Sequence, residues 1–198
     1  RLMDIRSPDL TEVFRTGSFD AVCHQAAQMN VRYSVHHPAE DADINILGTL
    51  NLLERAAAAG VKKILFASTG GAIYGEQEEI PCDEDHPVRP VSPYGITKLC
   101  VEKYLYFYFL QYGIRYTVLR YANVYGPRQS PHGEAGVVAI FTEKLLRGEQ
   151  PVINGDGLQT RDYVYVDDVA RANAAALDYP QNDIFNIGTS IETDVNTI

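Results

Sequence analysis

The sequence has no block of basic residues. Its 17 Lys and Arg are outnumbered by 26 Asp and Glu, for a formal net charge of −9, which argues against a nucleic-acid surface. No apolar run approaches the roughly 20 residues that a membrane span requires, and Arg1-Leu2-Met3-Asp4 does not read as a signal peptide. The expectation is a soluble cytosolic protein with neither a nucleic-acid nor a membrane partner. The three cysteines, Cys23, Cys82 and Cys100, are odd in number and widely spaced, which fits neither a disulfide framework nor a zinc site. His36-His37 precedes Pro38 with no Cys or third His at metal spacing, so no metal is expected. There is no repeat, low-complexity tract or linker. Most telling, no GxGxxG or GxxGxxG occurs anywhere, although a dinucleotide-binding fold carries one in its first strand-to-helix turn.

What is present alternates between strand and helix, the signature of a parallel sheet wrapped by helices. Ser7 and Pro8 open a helix that Gly17 stops, and Phe19 to His24 reads as a short buried strand. The small residues that follow, in Gln25-Ala26-Ala27-Gln28, either let a flat ligand approach the backbone or simply pack tightly. Pro38 to Ala59 reads as one long helix, with Ile44, Leu47, Leu50 and Leu53 at helical spacing and Gly60 as its stop. Asn45 lies near that apolar face, where it braces a loop or touches a ligand. Lys63 to Ser68 is the next strand, and Pro93 to Tyr112 a helix whose second half is aromatic nearly all round. Such a surface is buried on more than one side, in a core or at a subunit interface. Arg115 to Arg120 is a strand, Gly133 to Leu146 a helix, and Asn154 to Gly157 a turn. Arg161 to Val166 is a short strand before Asp167-Asp168, which cap a helix through Ala176. Ile184 to Gly188 closes the pattern, and Thr193 to Asn196 reads as the cap of another helix.

The stretch around which these elements are organised is Ser92-Pro93-Tyr94-Gly95-Ile96-Thr97-Lys98. Positions i and i+4 share a helix face, and Tyr94 with Lys98 is the only Tyr/Lys pair at that spacing among 13 Tyr and five Lys. A free phenol titrates near 10 and is a poor base at neutral pH until a cation favours the phenolate. Lys98 is placed to be that cation. Some 25 residues upstream, the strand from Lys63 ends in Ser68-Thr69 and a glycine pair, and the carboxyl end of a strand is where open α/β sheets bind ligands. A tyrosine so activated takes a proton from a sugar or alcohol hydroxyl while a neighbouring acceptor takes the hydride.

Together these stretches resemble the extended short-chain dehydrogenase/reductase family, specifically its NAD-dependent sugar-nucleotide epimerases and dehydratases, and within it the 4-epimerases. The matching segments run in order along almost the whole chain. They are Phe19 to Val22, His24 to Ala27, Asn45 with Gly48 to Glu54, Ser68 to Gly75, Pro93-Tyr94-Gly95 with Lys98, Arg120-Tyr121 with Asn123 to Pro127, Arg161-Asp162, and Asn186 to Gly188. The resemblance implies a Rossmann-type doubly wound parallel sheet, with NAD as cofactor and a nucleotide sugar as substrate. Residues 1–125 would form the NAD-binding domain, and 126–198 part of a substrate-binding region interleaved with late Rossmann elements. It also implies that the first strand, helix and second strand and the rest of the C-terminal domain lie outside this chain, and that the full-length protein is a homodimer through the helices beginning near Pro38 and Pro93.

The same resemblance implies roles for particular residues. Tyr94 is the catalytic base, Lys98 holds the nicotinamide ribose and lowers the tyrosine pKa, and Thr69 hydrogen-bonds the reacting hydroxyl, with Ser68 the alternative for that contact. Asp4 and Ile5 touch the adenine, and Ala26, Ala27 and Gln28 form the loop over the cofactor. Asn45, Ser68, Tyr121 and Val124 are further cofactor neighbours, while Asn123 and Arg161 bind the diphosphate, a role that suits arginine. The family's dehydratases carry an Asp-Glu pair immediately after the threonine, and its decarboxylating members a Glu. Here Gly70 and Gly71 stand there, which favours epimerisation. The acidic residues of the nearby loop, Glu76, Glu78, Glu79, Asp83, Glu84 and Asp85, read as a solvated face. Ser190 stands where the family has glycine.

Overall fold

The computed structural model describes residues 2–132 and 136–198. Four strands form a parallel sheet in the order β1-β2-β3-β7, where β1 is Ala21–His24, β2 Lys63–Thr69, β3 Arg115–Tyr121 and β7 Asp183–Ile187. Alternation along β2 sorts the two faces. Ile64 and Phe66 point to one side, where they pack with α1 (Leu10–Thr16), α4 (Gly48–Ala58) and α6 (Pro93–Tyr112) through Phe14, Leu53, Val101 and Leu105. Leu65 points to the other, against Leu119 and Ala176 of α8 (Val166–Asp178). A parallel sheet covered on both faces is the doubly wound arrangement expected from the alternating pattern. Two further strand pairs lie outside it: β4 (Asn123–Tyr125) with β6 (Tyr163–Tyr165), and β5 (Thr160–Arg161) with β8 (Thr193–Asp194). The remaining helices are α2 (Val31–His36), α3 (Pro38–Ala42), α5 (Gly70–Ile73) and α7 (Val137–Leu146).

Helix α6 has the bounds expected from the sequence, because its ends are chemically marked. Ser92 caps it by accepting the Gly95 N–H at 3.2 Å, Pro93 opens the first turn, and Gly113 ends it at φ 71°. Its aromatic half departs from expectation. Leu105 and Tyr108 are buried, but Tyr106, Phe107, Leu110 and Tyr112 are exposed, so α6 is buried along one side only and is not an internal core helix.

Other departures have local causes. The expected helix from Pro38 to Ala59 is interrupted by a π-helical turn at Asp43–Leu47. A π-turn rotates the following residues relative to those before it, so the buried stripe becomes Asp41, Asn45, Thr49, Leu52, Leu53 and Ala56, and Leu47 faces solvent. Polar Asp41 and Asn45 lie inward because they have partners there. The first helix begins at Leu10, since Ser7 Oγ accepts the Asp9 N–H in a turn of its own. Val166 opens α8, so Asp167 and Asp168 lie in the first turn and do not cap it, where acidic side chains still suit the helix dipole. The strand expected over Arg161 to Val166 is split at Asp162, whose carboxylate turns away to take the N–H groups of Thr189 and Ser190. Ser190 adopts φ 59°, the left-handed conformation a glycine would take without strain. Thr193 and Asp194 form strand β8, with no helix following among the described residues. The seventh helix is described from Val137, and Gly133 lies outside the described residues.

His24, at the end of β1, illustrates the dryness of the helix-covered face. Thr49 Oγ1 donates to the Asn45 carbonyl at 2.6 Å and so accepts from His24 Nε2–H at 2.8 Å, which places a proton on Nε2. Burial, with the Lys98 charge nearby, pushes its pKa from 6.5 down to about 4. The unfolded chain therefore binds a proton between those pH values that the folded chain refuses. The contribution is complete above pH 6.5 and lost as pH falls to 4, about 3 kcal/mol in all. Urea midpoints measured across this range fall with pH, and His24→Asn flattens that part of the profile.

Candidate active site

The carboxyl ends of β2 and β3 and the first turn of α6 meet at one place. Thr69 ends β2 and pairs in register with Tyr121 at the end of β3. Tyr94 stands in the first turn of α6, its phenol near the Thr69 side chain. Lys98, one turn on, is buried, with Nζ donating to the Ala67 carbonyl at 2.8 Å and lying 5.8 Å from the Tyr94 ring and 4.7 Å from the Phe66 ring. The close approach of α6 depends on Gly95, because a Cβ there would lie 2.3 Å from the Ala72 carbonyl oxygen. Ser34 Oγ holds the same turn by accepting the Tyr94 N–H at 3.2 Å.

Thr69 and Ser68 part company here. Successive side chains on a strand point to opposite faces. Thr69 meets Tyr94, whereas Ser68 is buried and donates to Glu102 Oε1 at 2.6 Å. The Ser68 side chain is thus turned into the core and away from the phenol.

The electrostatics run opposite to the expectation for the phenol. Burial, with Asp41 adding to it, pushes Tyr94 up to about 12, and the neighbouring Thr69 side chain opposes this only in part. The lysine cation lies over the ring and does not offset burial. Burial likewise pulls Lys98 down to about 8, against the pull of Asp41 and Glu102.

The remaining candidates divide. Asn45 is buried and fully engaged: its Oδ1 accepts the Gln28 N–H at 2.8 Å, and Nδ2 faces the Gln28 carbonyl, Asp41 and Thr97. In the structure it braces the loop at Gln28. Gln28 turns inward to Asp41 Oδ1 at 2.7 Å, leaving Ala26 and Ala27 as the outward part of the loop, Ala26 exposed and Ala27 half-buried. Tyr121 is half-buried and its hydroxyl meets Gln25 and Asn173. Asp4 is exposed and gripped by Arg6 at 2.7 Å, which holds its carboxyl down to about 2. Ile5 packs on Gly48, where a Cβ would meet its side chain at 2.8 Å. Asn123 Oδ1 lies beside Gly71, and half-buried Val124 gives its carbonyl to Gln129. Arg161 is exposed on β5 and its guanidinium touches only the Thr160 carbonyl among the described residues. Contacts thus join Thr69, Tyr94, Lys98, Asn45 and Gln28 into one cluster, while Asp4, Ile5, Val124 and Arg161 stand apart from it.

Asp41, Thr97 and Ser34 support this cluster and were not singled out from the sequence. The available signal was spacing: Asp41 precedes Asn45 by four residues, and Thr97 follows Tyr94 by three.

A doubly wound parallel sheet with a Thr, Tyr and Lys gathered at its carboxyl edge places these side chains where open α/β sheets bind ligands. The chain belongs to the NAD dependent epimerase/dehydratase family, whose model matches residues 2–188. It is 45% identical to UDP-glucose 4-epimerase of Mycolicibacterium smegmatis over 98% of this chain and 63% of that protein. The crystal structure of Thermotoga maritima UDP-glucose 4-epimerase with UDP-glucose matches at a TM-score of 0.96 and 53% identity, over 98% of this chain and 64% of that one. The Thermus thermophilus UDP-glucose 4-epimerase complex with NAD matches at a TM-score of 0.91 and 48% identity, over the same shares. The chain therefore spans a little under two-thirds of the length of these relatives. Among the described residues, no helix is long and apolar enough to cross a membrane, and no His, Cys, Asp and Glu group suits a metal ion.

Proposed function

We propose that the protein is an NAD-dependent epimerase inverting C4 of a UDP-sugar, interconverting UDP-glucose and UDP-galactose. The observation that carries this reading is the meeting of Thr69, Tyr94 and Lys98, with the two glycines, Gly70 and Gly71, directly after the threonine. The donor set fits a dinucleotide: Lys98 Nζ has three N–H groups and one hydrogen-bond acceptor among the described residues, the Ala67 carbonyl, which leaves donors for a ribose diol. NAD, when bound, supplies the hydride acceptor and returns the hydride. Lys98 holds the ribose and its charge lies beside the phenol. Thr69 orients the sugar 4-hydroxyl and Tyr94 takes its proton, then gives it back. Ala26 and Ala27 border the cofactor, Asp4 and Ile5 its adenine, with Tyr121 and Val124 nearby. Asn123 and Arg161 bind the diphosphate, for which an exposed guanidinium is well suited.

Gly70 and Gly71 carry no side chain to eliminate water or protonate a carbanion, which supports epimerisation over dehydration. In this reading residues 1–125 carry the cofactor and 126–198 contribute to the substrate side. The exposed Tyr106, Phe107, Leu110 and Tyr112 on α6 supply an apolar surface suited to a homodimer. The test is to express the protein at the full length of its relatives and supply UDP-glucose. Formation of UDP-galactose supports the assignment. Retained NAD without conversion moves the substrate to UDP-glucuronate or a GDP-sugar, and failure to retain NAD favours a non-catalytic scaffold.

A further inference from the structure

Two opposite charges lie in the core behind the tyrosine, and neither has an ion-pair partner among the described residues. Asp41 is fully buried, and its carboxylate is met only by neutral groups: Gln28 Nε2 at 2.7 Å, Asn45 Nδ2 at 3.1 Å and Thr97 Oγ1 at 2.9 Å. Lys98, also buried, is bonded to one carbonyl. Glu102, the other carboxylate near Lys98, is already engaged by Arg120 at 2.8 Å and by Ser68. The groups bearing on Lys98 are thus His24 from β1, which is neutral, Glu102 on its own helix, neutralised by Arg120 of β3, Tyr94 across its own turn, and Asp41 from α3. Asp41 is the uncompensated charge among them. It also has a mechanical link, since Thr97 Oγ1 lies 2.9 Å from both Asp41 Oδ2 and the Tyr94 carbonyl.

We propose that Asp41 is a positioning residue of the Tyr94 and Lys98 pair, the buried counter-charge that keeps the Lys98 ammonium protonated and ties the first turn of α6 to the loop at Gln28. An isolated buried ammonium discharges unless a carboxylate offsets its desolvation. Asp41 does so at a distance, leaving the Lys98 N–H groups free to bind and not locked in a salt bridge. The inference rests on the reading of Tyr94 and Lys98 as the reactive pair, and deepens it.

The test is the titration of Lys98 in the full-length protein by NMR of carbon-13-labelled lysine, assigned with Lys98→Arg. Asp41→Asn keeps the shape and removes the charge, and lowers the Lys98 midpoint by about one pH unit or more. Thr97→Val breaks the mechanical link and leaves the charge, so the midpoint stays near its original value. If Asp41→Asn does not fold, Asp41→Ser, with room for a water among the same donors, serves as the charge-removing variant. In turnover, the alkaline limb of the kcat profile moves toward neutrality in the charge-removing variant, with KM for the nucleotide sugar retained at lower pH. An unmoved Lys98 midpoint, or an equal shift in Thr97→Val, overturns the proposal. A wild-type protein that titrates as described but converts no nucleotide sugar refutes the assigned reaction and leaves the role of Asp41 standing.

Discussion

Replacing Tyr94 with Phe in the full-length protein lowers turnover by about a hundred- to ten-thousand-fold, while NAD and nucleotide-sugar binding are largely kept. The expectation follows from how little else at the site can move the proton. Thr69 is a hydroxyl with no base of its own, Ser68 is turned into the core, and Gly70 and Gly71 have no side chain. Phe fills the same volume, so α6 keeps its cap at Ser92 and its approach through Gly95. The phenol of the protein alone lies at about 12, so it holds its proton at neutral pH, and the charge needed to release it must be assembled with the bound groups. Steady-state kinetics with equilibrium binding on the same preparation separates the two effects. Turnover near wild type would remove Tyr94 from the chemistry and with it the assigned mechanism.

Arg120→Met destabilises the fold by about 3 to 5 kcal/mol. Arg120 and Glu102 form a two-pronged pair at 2.8 and 3.1 Å, with side chains only 3% and 2% exposed. Arg120 also donates to the Tyr74 hydroxyl at 2.9 Å, and Tyr74 in turn donates to Asn186 Oδ1 at 2.6 Å. This fork joins α6 to β3 and, through Ser68 and Asn186, to β2 and β7. Removing the arginine strands a carboxylate in the core with Ser68 as its remaining hydrogen-bond donor, and that uncompensated burial is the main cost. The paired replacement of Arg120 by Met and Glu102 by Gln recovers most of the loss, because no charge is left buried. Urea unfolding of both variants measures this, and a double variant no more stable than the single one would assign the cost to packing.

The elements that the sequence announced are those whose ends carry their own chemistry. Ser92-Pro93 and Gly113 bound α6 by local capping alone, and the β-branched and apolar runs of β2 and β3 could be read without knowing their neighbours. The Tyr94 and Lys98 spacing was legible for the same reason, since one helical turn brings them together whatever surrounds it. The interrupted helix between Pro38 and Ala59 was not, because the π-turn at Asp43–Leu47 answers to a network of Gln28, Asp41, Asn45 and Thr97 drawn from three separate segments.

The chain's own order of residues thus determined its class, its parallel sheet and the placing of Tyr94 and Lys98 on one helix face, through periodicities and caps that act over a few residues. Three things were left to the tertiary structure: that Thr69 and not Ser68 faces the phenol, that Asn45 braces a loop, and that burial raises Tyr94 where the neighbouring lysine was expected to lower it. Each depends on desolvation and on partners distant in sequence, and the strength of a charge or a hydrogen bond is set by what surrounds it, which spacing along a chain does not encode.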